Sequence, residues 1–308
     1  MKNYIKIARP DHWVKNAFIL PGVVIAILLT DFTFSWQVIL DLIVGFMATC
    51  FIASANYVIN EWLDAEFDKY HPTKKYRPVV SENMKFSYVM LEYALLIVLG
   101  LGLAFSLNMP FFLVEVWLLV MGVLYNVKPI RTKDIPYLDV LSESINNMIR
   151  LLLGWFIINT TYQPPSSILI GYWFAGAFLM ATKRFAEYRM IGDPEKAGLY
   201  RKSFAHYSEI TLLVSSFFYA MCATFFIGIF MIKYRIEYLL AMPFVFGLFC
   251  FYLYIAFKPD SAVQKPEKLY KEKKLLIYIA FLCVWLLILT FVDVSVLNYW
   301  VDIRLIGV

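Results

Sequence analysis

The stretch NYVINEWLDAEFD at residues 56–68 decides the fold, because it places amide and acidic side chains at the end of a long apolar segment. That segment, 37–60, is long enough to cross a bilayer as a helix, which takes about 20 apolar residues. On a continuous helix, Asn60, Asp64 and Asp68 recur every fourth residue and share one face. The stretch therefore predicts a membrane-spanning helix that ends in a stripe of oxygen ligands.

The rest of the chain has the composition of a membrane protein. Of its 308 residues, 61% are hydrophobic, and the mean hydropathy is +0.66, whereas soluble domains are about half apolar. The four cysteines stand singly in apolar stretches, which favours neither a zinc site nor a disulfide framework. Residues 1–16 lack the pattern of a cleavable signal peptide, so we expect the first span itself to direct insertion.

Nine apolar segments predict an all-α fold, a polytopic membrane helix bundle of about nine transmembrane helices that forms a single domain over residues 1–308. The segments are 17–34, 37–60, 87–107, 110–127, 136–158, 166–186, 209–232, 236–257 and 275–297.

Lysine and arginine are distributed unequally between the two sets of connecting segments. Three of the 28 lie on one side, one (Arg150) lies inside a span, and 24 lie on the other side, in residues 1–16, 61–86, 128–135, 183–208 and 258–274. By the positive-inside rule, the N-terminus and the long loops are cytoplasmic. We therefore expect a multi-pass protein of the inner (plasma) membrane whose active site faces the cytoplasm. Because topology explains the positive charge, a nucleic-acid partner has little support.

The acidic stripe predicts a metal site. Carboxylates one helical turn apart repel each other on a bare helix, and a divalent cation removes that repulsion. Mg²⁺ suits hard oxygen ligands, especially where substrate phosphates complete its shell. The candidate Mg²⁺ ligands are Asn60, Glu61, Asp64 and Asp68, of which Asn60, Asp64 and Asp68 are also candidate catalytic residues. The alternative is a solvated acidic helix end that pairs with Lys69 and Lys74.

Cations follow the stripe directly. The loop HPTKKYRP at residues 71–78 holds Lys74 and Arg77 between two prolines. Beside an acidic helix end, such a loop can close over a phosphate, with arginine as a bidentate fork and lysine as a point charge. The alternative is an ordinary cytoplasmic loop.

Two further clusters lie near the same membrane face. Asp139 and Glu143 are one turn apart in the fifth segment, which indicates either a second metal-facing pair or a buried network of Glu143 with Arg150 or an asparagine. Lys183 and Glu187 form either a helix salt bridge or part of an anion site, in which Lys183 is a candidate catalytic residue. The candidate substrate-binding residues are Lys15, Asn56, Lys74, Arg77, Asp139, Glu143, Asn146, Arg150, Arg184 and Glu187.

These motifs resemble the UbiA superfamily of intramembrane prenyltransferases. Its first signature is Asn-Asp-x-x-Asp-x-x-x-Asp, which Asn60, Asp64 and Asp68 match, while Glu61 replaces the first aspartate. Four other segments are most similar to decaprenyl-phosphate phosphoribosyltransferases. They are RPDHWVKN at 9–16, HPTKKYRP at 71–78, KRFAE at 183–187 and RKS at 201–203. The region 128–150, with its Tyr-x-x-x-Pro-x-Arg-x-Lys pattern and the acidic Asp139 and Glu143, looks more like the prenyltransferase members.

The resemblance implies a membrane-bound transferase that uses Mg²⁺, a diphosphate donor and a polyprenyl lipid substrate. In the phosphoribosyltransferase interpretation, a 5-phosphoribosyl group passes from phosphoribosyl diphosphate to a polyprenyl phosphate, and diphosphate is released. In the alternative, a prenyl diphosphate alkylates an aromatic or isoprenoid acceptor. A transporter or channel is a third interpretation, but the acidic and basic clusters converge on one membrane face, which favours a reaction site over a path through the membrane.

Overall fold

The computed structural model describes residues 2–70, 74–82, 84–259, 261–264 and 266–300, and all regular structure within these ranges is helical. The motif residues His71, Pro72 and Thr73 lie outside the described residues. The helices are α1 (Lys2–Ile7), α2 (Leu20–Leu29), α3 (Trp36–Asp68), α4 (Pro78–Ser81), α5 (Phe86–Leu107), α6 (Met109–Asn126), α7 (Leu138–Ile158), α8 (Ser166–Ile191), α9 (Pro194–Tyr200), α10 (Glu209–Tyr234), α11 (Met242–Ala256) and α12 (Lys273–Phe291). A 3₁₀ helix, Pro10–Ile19, leads directly into α2.

Seven segments of the described chain are long and apolar enough to cross a membrane, so the chain is a multi-pass membrane protein. They are Asn3–Leu29, α3, α5, α6, α10, Ile236–Ala256 and α12. The sequence predicts nine crossings. The two predicted segments that are not apolar enough to be among these seven are α7 and α8. Both are helical at the predicted positions, with 21 and 26 residues. Their ionisable side chains, such as Glu143 and Lys183, lower their hydropathy.

The ends of the helices follow from local chemistry. The Asn108 side chain accepts a hydrogen bond from the Phe111 N–H at 2.8 Å and caps α6. Ser208 and Thr211 form a capping box at the start of α10. Helix α8 stops at Gly192, whose φ of 67° is accessible to glycine without strain.

Helix α7 is the centre of the bundle and packs against α2, α3, α6 and α8. Two glycines allow its close approach to α2. A Cβ added at Gly154 would lie 2.1 Å from the Ile19 carbonyl oxygen, and one at Gly22 would lie 2.0 Å from the Leu151 carbonyl oxygen. These two helices therefore touch backbone to backbone, as small residues permit in membrane proteins.

Helix α3 continues without a break through Asp68, eight residues beyond the predicted apolar segment. Its acidic stripe consequently lies on one rigid helix, as the spacing predicts. Large apolar side chains such as Val98 on α5 and Leu287 on α12 are exposed on the outer surface, where they face lipid.

Candidate active site

A cavity of about 610 Å³ lies between α3, α6, α7, α8 and the 3₁₀ helix Pro10–Ile19. It brings together side chains that are up to 263 positions apart in the sequence, between Lys6 and Leu269. Every candidate site residue except Asp139 lines it. These residues are Lys15, Asn56, Asn60, Glu61, Asp64, Asp68, Lys74, Arg77, Glu143, Asn146, Arg150, Lys183, Arg184 and Glu187.

Each carboxylate of the acidic stripe lies beside a cation. Asp64 Oδ1 accepts hydrogen bonds from Arg131 Nη2 at 3.0 Å and Lys133 Nζ at 2.5 Å. Glu61 Oε2 binds Arg9 Nη2 at 2.6 Å. Thus the cations that neutralise these two residues come from distant parts of the chain and not from Lys69 or Lys74.

The end of the stripe is closed by the loop that follows it. Arg77 forms an ion pair with Asp68, which is 2% exposed. Burial lowers the pKa of Arg77, but the Asp68 carboxylate outweighs burial and the net shift is upward, so the guanidinium stays charged. Lys74 Nζ donates to Glu187 Oε1 at 2.8 Å and also bonds the Tyr200 hydroxyl. The loop therefore binds α3 and α8 together above the cavity.

The stripe suits Mg²⁺ that arrives with phosphates. Asp64 and Asp68 line the cavity one turn apart, and the Asn60 amide lies one turn further in. One oxygen of Glu61, Oε1, is buried without a hydrogen-bond partner. The described residues contain no group of three His, Cys, Asp or Glu side chains that could hold a metal ion by themselves. This donor set matches Mg²⁺ sites in which one or two carboxylates and substrate phosphates share the ion.

The pair Asp139 and Glu143 surrounds a guanidinium group. Arg184, which is 1% exposed, forms an ion pair with Glu143 and lies 3.4 Å from Asp139. Arg184 therefore lies where a metal ion would lie if Asp139 and Glu143 were a second metal-binding pair. The alternative network between Glu143 and Arg150 is not formed either, because Arg150 donates to Asn16 Oδ1 at 2.9 Å and to the Asn146 carbonyl at 3.1 Å.

Asp139 lies behind the cavity wall. It is fully buried and accepts hydrogen bonds from the Tyr207 hydroxyl at 2.8 Å and the Ser203 hydroxyl at 3.1 Å. Burial and the adjacent Asp139 carboxylate raise the pKa of Tyr207, so its hydroxyl remains a donor. Asp139 therefore anchors the loop after α9 to α7 and holds Arg201, 3.8 Å away, near the cavity.

Several polar residues of the site are absent from the sequence-based candidates. Arg131 and Lys133 hold Asp64, while Tyr125 donates to Glu143 Oε2 at 2.7 Å. Burial lowers the pKa of Lys133 to about 8, against the opposing effect of Asp64. The pattern Tyr-x-x-x-Pro-x-Arg-x-Lys contains Tyr125, Arg131 and Lys133, and it is the signal that marks them. Arg131 also has a positive φ of 34°, and such strained residues cluster at functional sites.

The chain is similar in sequence to known proteins. A decaprenyl-phosphate phosphoribosyltransferase from Corynebacterium glutamicum is 29% identical over 223 residues, which cover 71% of this chain and 63% of that protein. Nodulation protein NoeC from Azorhizobium caulinodans is 27% identical over 219 residues, 70% of this chain and 68% of that protein.

Among solved structures, a UbiA homolog from Archaeoglobus fulgidus bound to DMAPP and Mg²⁺ has a TM-score of 0.70 and 21% identity, and the match covers 94% of this chain and 100% of that chain. Another structure of the homolog is bound to GPP and Mg²⁺, with a TM-score of 0.69 and 20% identity over 94% of this chain and 100% of that one. The sequence of residues 18–282 matches the model of the UbiA prenyltransferase family. The chain therefore belongs to the UbiA prenyltransferase family of membrane-bound transferases.

Proposed function

We propose that the protein transfers a 5-phosphoribosyl group from phosphoribosyl diphosphate to a polyprenyl phosphate in a Mg²⁺-dependent reaction that releases diphosphate. The observation that carries this proposal is the charge of the cavity. Its wall contains nine Lys or Arg side chains against six Asp or Glu, an excess of three positive charges. Three phosphate-bearing groups meet in this reaction, and they need more cations than one diphosphate does. The relative from C. glutamicum supports the same reaction, since it is described as a decaprenyl-phosphate phosphoribosyltransferase.

In this reaction, the residues of the stripe would bind the leaving diphosphate through Mg²⁺. Asp64 and Asp68, with the Asn60 amide, would hold Mg²⁺, which supplies positive charge to the departing diphosphate. Arg77 and Lys74 lie over the same end of the cavity and can contact the diphosphate while they keep the loop closed. Closure excludes water, which would otherwise compete with the lipid for the ribose.

The reaction needs little proton transfer. A phosphate oxygen of the lipid forms the new bond to C1 of the ribose as the bond from C1 to the diphosphate oxygen breaks. Because the lipid phosphate is already anionic, it needs no general base. This suits a cavity whose one histidine among the lining residues, His12, lies next to Lys15 Nζ at 3.0 Å.

A second candidate is transfer of a prenyl group from a prenyl diphosphate. The family description and the homolog structures that contain GPP or DMAPP favour it, as does the Tyr-x-x-x-Pro-x-Arg-x-Lys pattern at residues 125–133. Apolar side chains on part of the cavity wall, including Phe18, Leu179 and Met180, could line a path for an isoprenoid chain.

A direct assay separates the two. Purified protein in detergent is given labelled phosphoribosyl diphosphate with polyprenyl phosphate and, separately, prenyl diphosphates with aromatic acceptors. We expect Mg²⁺-dependent product only from the first pair, and loss of most turnover in Asp64→Asn. Product from the second pair alone would overturn the proposal in favour of prenyl transfer.

We also propose that α7 and α8 cross the membrane, which makes nine crossings, and that the N-terminus and the cavity opening face the cytoplasm of the inner membrane. The 24 Lys and Arg on one side support this orientation. In a background without native cysteines, Ser81→Cys should resist an impermeant thiol reagent in intact cells, whereas Asp293→Cys should react. The opposite pattern would reverse the orientation.

A further inference from the structure

The cations of the large cavity differ in whether a carboxylate lies beside them. Lys74, Arg77 and Arg184 each form an ion pair with an acidic residue. Across the described ranges, Arg150 and Lys183 have no carboxylate within ion-pair distance, although both line the cavity. Lys183 does interact electrostatically with Glu143 and Glu187, but Glu143 is already paired with Arg184 and Glu187 with Lys74.

Arg150 is a buried cation with neutral partners. It is 8% exposed, and it donates hydrogen bonds to the amide oxygen of Asn16 and to the backbone carbonyl of Asn146. The buried carboxyl group of Glu115 interacts with it electrostatically. However, Glu115 accepts a hydrogen bond from Thr49 at 2.5 Å and is not among the residues that line the cavity. Burying a charge without a partner is costly, so an anion in the cavity would offset a cost that the protein alone does not.

Arg150 is too deep to serve the diphosphate. It bonds Asn16, and the Asn16 amide in turn donates to Cys50 Sγ at 3.2 Å. Cys50 and Asp64 lie on the same helix, 14 residues apart, which corresponds to about 21 Å along its axis. An anion bound beside Asp64 therefore does not form an ion pair with Arg150.

We propose that Arg150 and Lys183 form a second anion site, which binds a phosphate monoester apart from the diphosphate site at Asp64 and Asp68. The proposal rests on the proposed function, in which the donor's 5-phosphate and the acceptor's phosphate are both monoesters. Arginine supplies a planar fork for phosphate oxygens and lysine a point charge. The amides of Asn146 and Asn147, which line the same cavity, are suited to neighbouring hydroxyl groups.

Binding measurements test the site without turnover. Full-length protein in detergent is titrated calorimetrically with ribose 5-phosphate, with geranyl phosphate, and with inorganic diphosphate plus Mg²⁺. We expect Arg150→Gln and Lys183→Gln each to weaken monoester binding about tenfold or more, since each removes a charge-assisted contact. Both should leave binding of Mg²⁺ and diphosphate unchanged. Lys75→Gln, which removes an exposed cation from outside the cavity, should change neither.

The two monoesters identify the source of the phosphate. If the variants lose binding of ribose 5-phosphate only, the site belongs to the donor. If they lose binding of geranyl phosphate only, it belongs to the lipid. Unchanged monoester binding in both variants, or equal loss of diphosphate binding, overturns the site. If Arg150→Gln does not fold, Lys183→Gln decides alone, because no hydrogen bond or ion pair among the described residues depends on the Lys183 ammonium.

The outcome for the site and the outcome for the function are separable. If the wild-type protein turns over phosphoribosyl diphosphate and both variants bind the monoesters normally, the site is overturned and the proposed function stands. Monoester binding that depends on Arg150 and Lys183, in a protein that uses only prenyl diphosphates, would retain the site and overturn the function.

Discussion

Replacing Lys133 should strengthen the binding of metal at the diphosphate site and weaken the binding of the diphosphate itself. Its ammonium lies 2.5 Å from Asp64 Oδ1 and is 4% exposed, so it repels any divalent ion that the same carboxylate holds. At a separation of about 6 Å and an effective dielectric constant between about 20 and 80, this repulsion is roughly 1.4–5.5 kcal/mol. Lys133→Gln should therefore tighten the binding of metal alone by about tenfold or more. The same change should weaken binding of the diphosphate, because it removes a cation beside it.

Binding of Mn²⁺ tests this, because its free ion gives an electron paramagnetic resonance signal. Wild-type protein should bind Mn²⁺ weakly alone and more tightly with inorganic diphosphate, since the anion offsets the cations around Asp64. In Lys133→Gln the difference between the two conditions should shrink. Lys128→Gln, an exposed cation in the same loop, is the control and should behave as wild type. If Lys133→Gln weakens Mn²⁺ binding in the absence of diphosphate, the electrostatic reasoning is wrong.

Three other predictions concern Lys133, Arg77 and Gly154. Because burial lowers the pKa of Lys133 to about 8, its ammonium loses its charge as the pH rises through that value. The diphosphate affinity of the wild-type protein, measured by calorimetry, should therefore fall in this pH range. The affinity of Lys133→Gln should show no such fall. Arg77→Ala removes a charged contact at the stripe and should raise the KM of the water-soluble donor about tenfold or more, with little change for the lipid; an effect on the lipid alone would contradict this. Gly154→Ala places a methyl group 2.1 Å from a backbone oxygen and should destabilise the protein by about 1–3 kcal/mol, seen as a lower Tm, whereas Gly102→Ala, with open space around it, should not.

Local periodicity in the sequence predicts the helices well. The apolar segments give their positions, and the four-residue spacing of Asn60, Asp64 and Asp68 correctly places these side chains on one face of α3. The limit of the same argument is visible at Asp139. Its spacing to Glu143 is that of a shared helical face, but spacing does not say which neighbour that face meets. Here it meets Arg184, and Asp139 ends behind the cavity wall.

The partners of the charged residues could not be predicted, because they are set by contacts between distant segments. Asp64 and Lys133 are 69 residues apart, and Arg150 and Asn16 are 134 apart. Positive-inside loops and substrate-binding cations also have the same composition, so counting charges does not separate them. Only the packing of α3, α7 and α8 shows which cations are neutralised by carboxylates.

This distinction gives the cavity two electrostatically different ends. At the end of α3, carboxylates and cations alternate and neutralise one another, so a ligand that binds there must bring both a metal ion and negative charge. Around Arg150, positive charge lacks an ion pair among the described residues, so a simple anion suffices. A prenyl diphosphate carries charge at one end and hydrocarbon at the other, and it would leave the deep cation without a counterion. A donor and an acceptor that both carry phosphate satisfy the two ends together, which is why the charge of this cavity favours phosphoribosyl transfer over prenyl transfer.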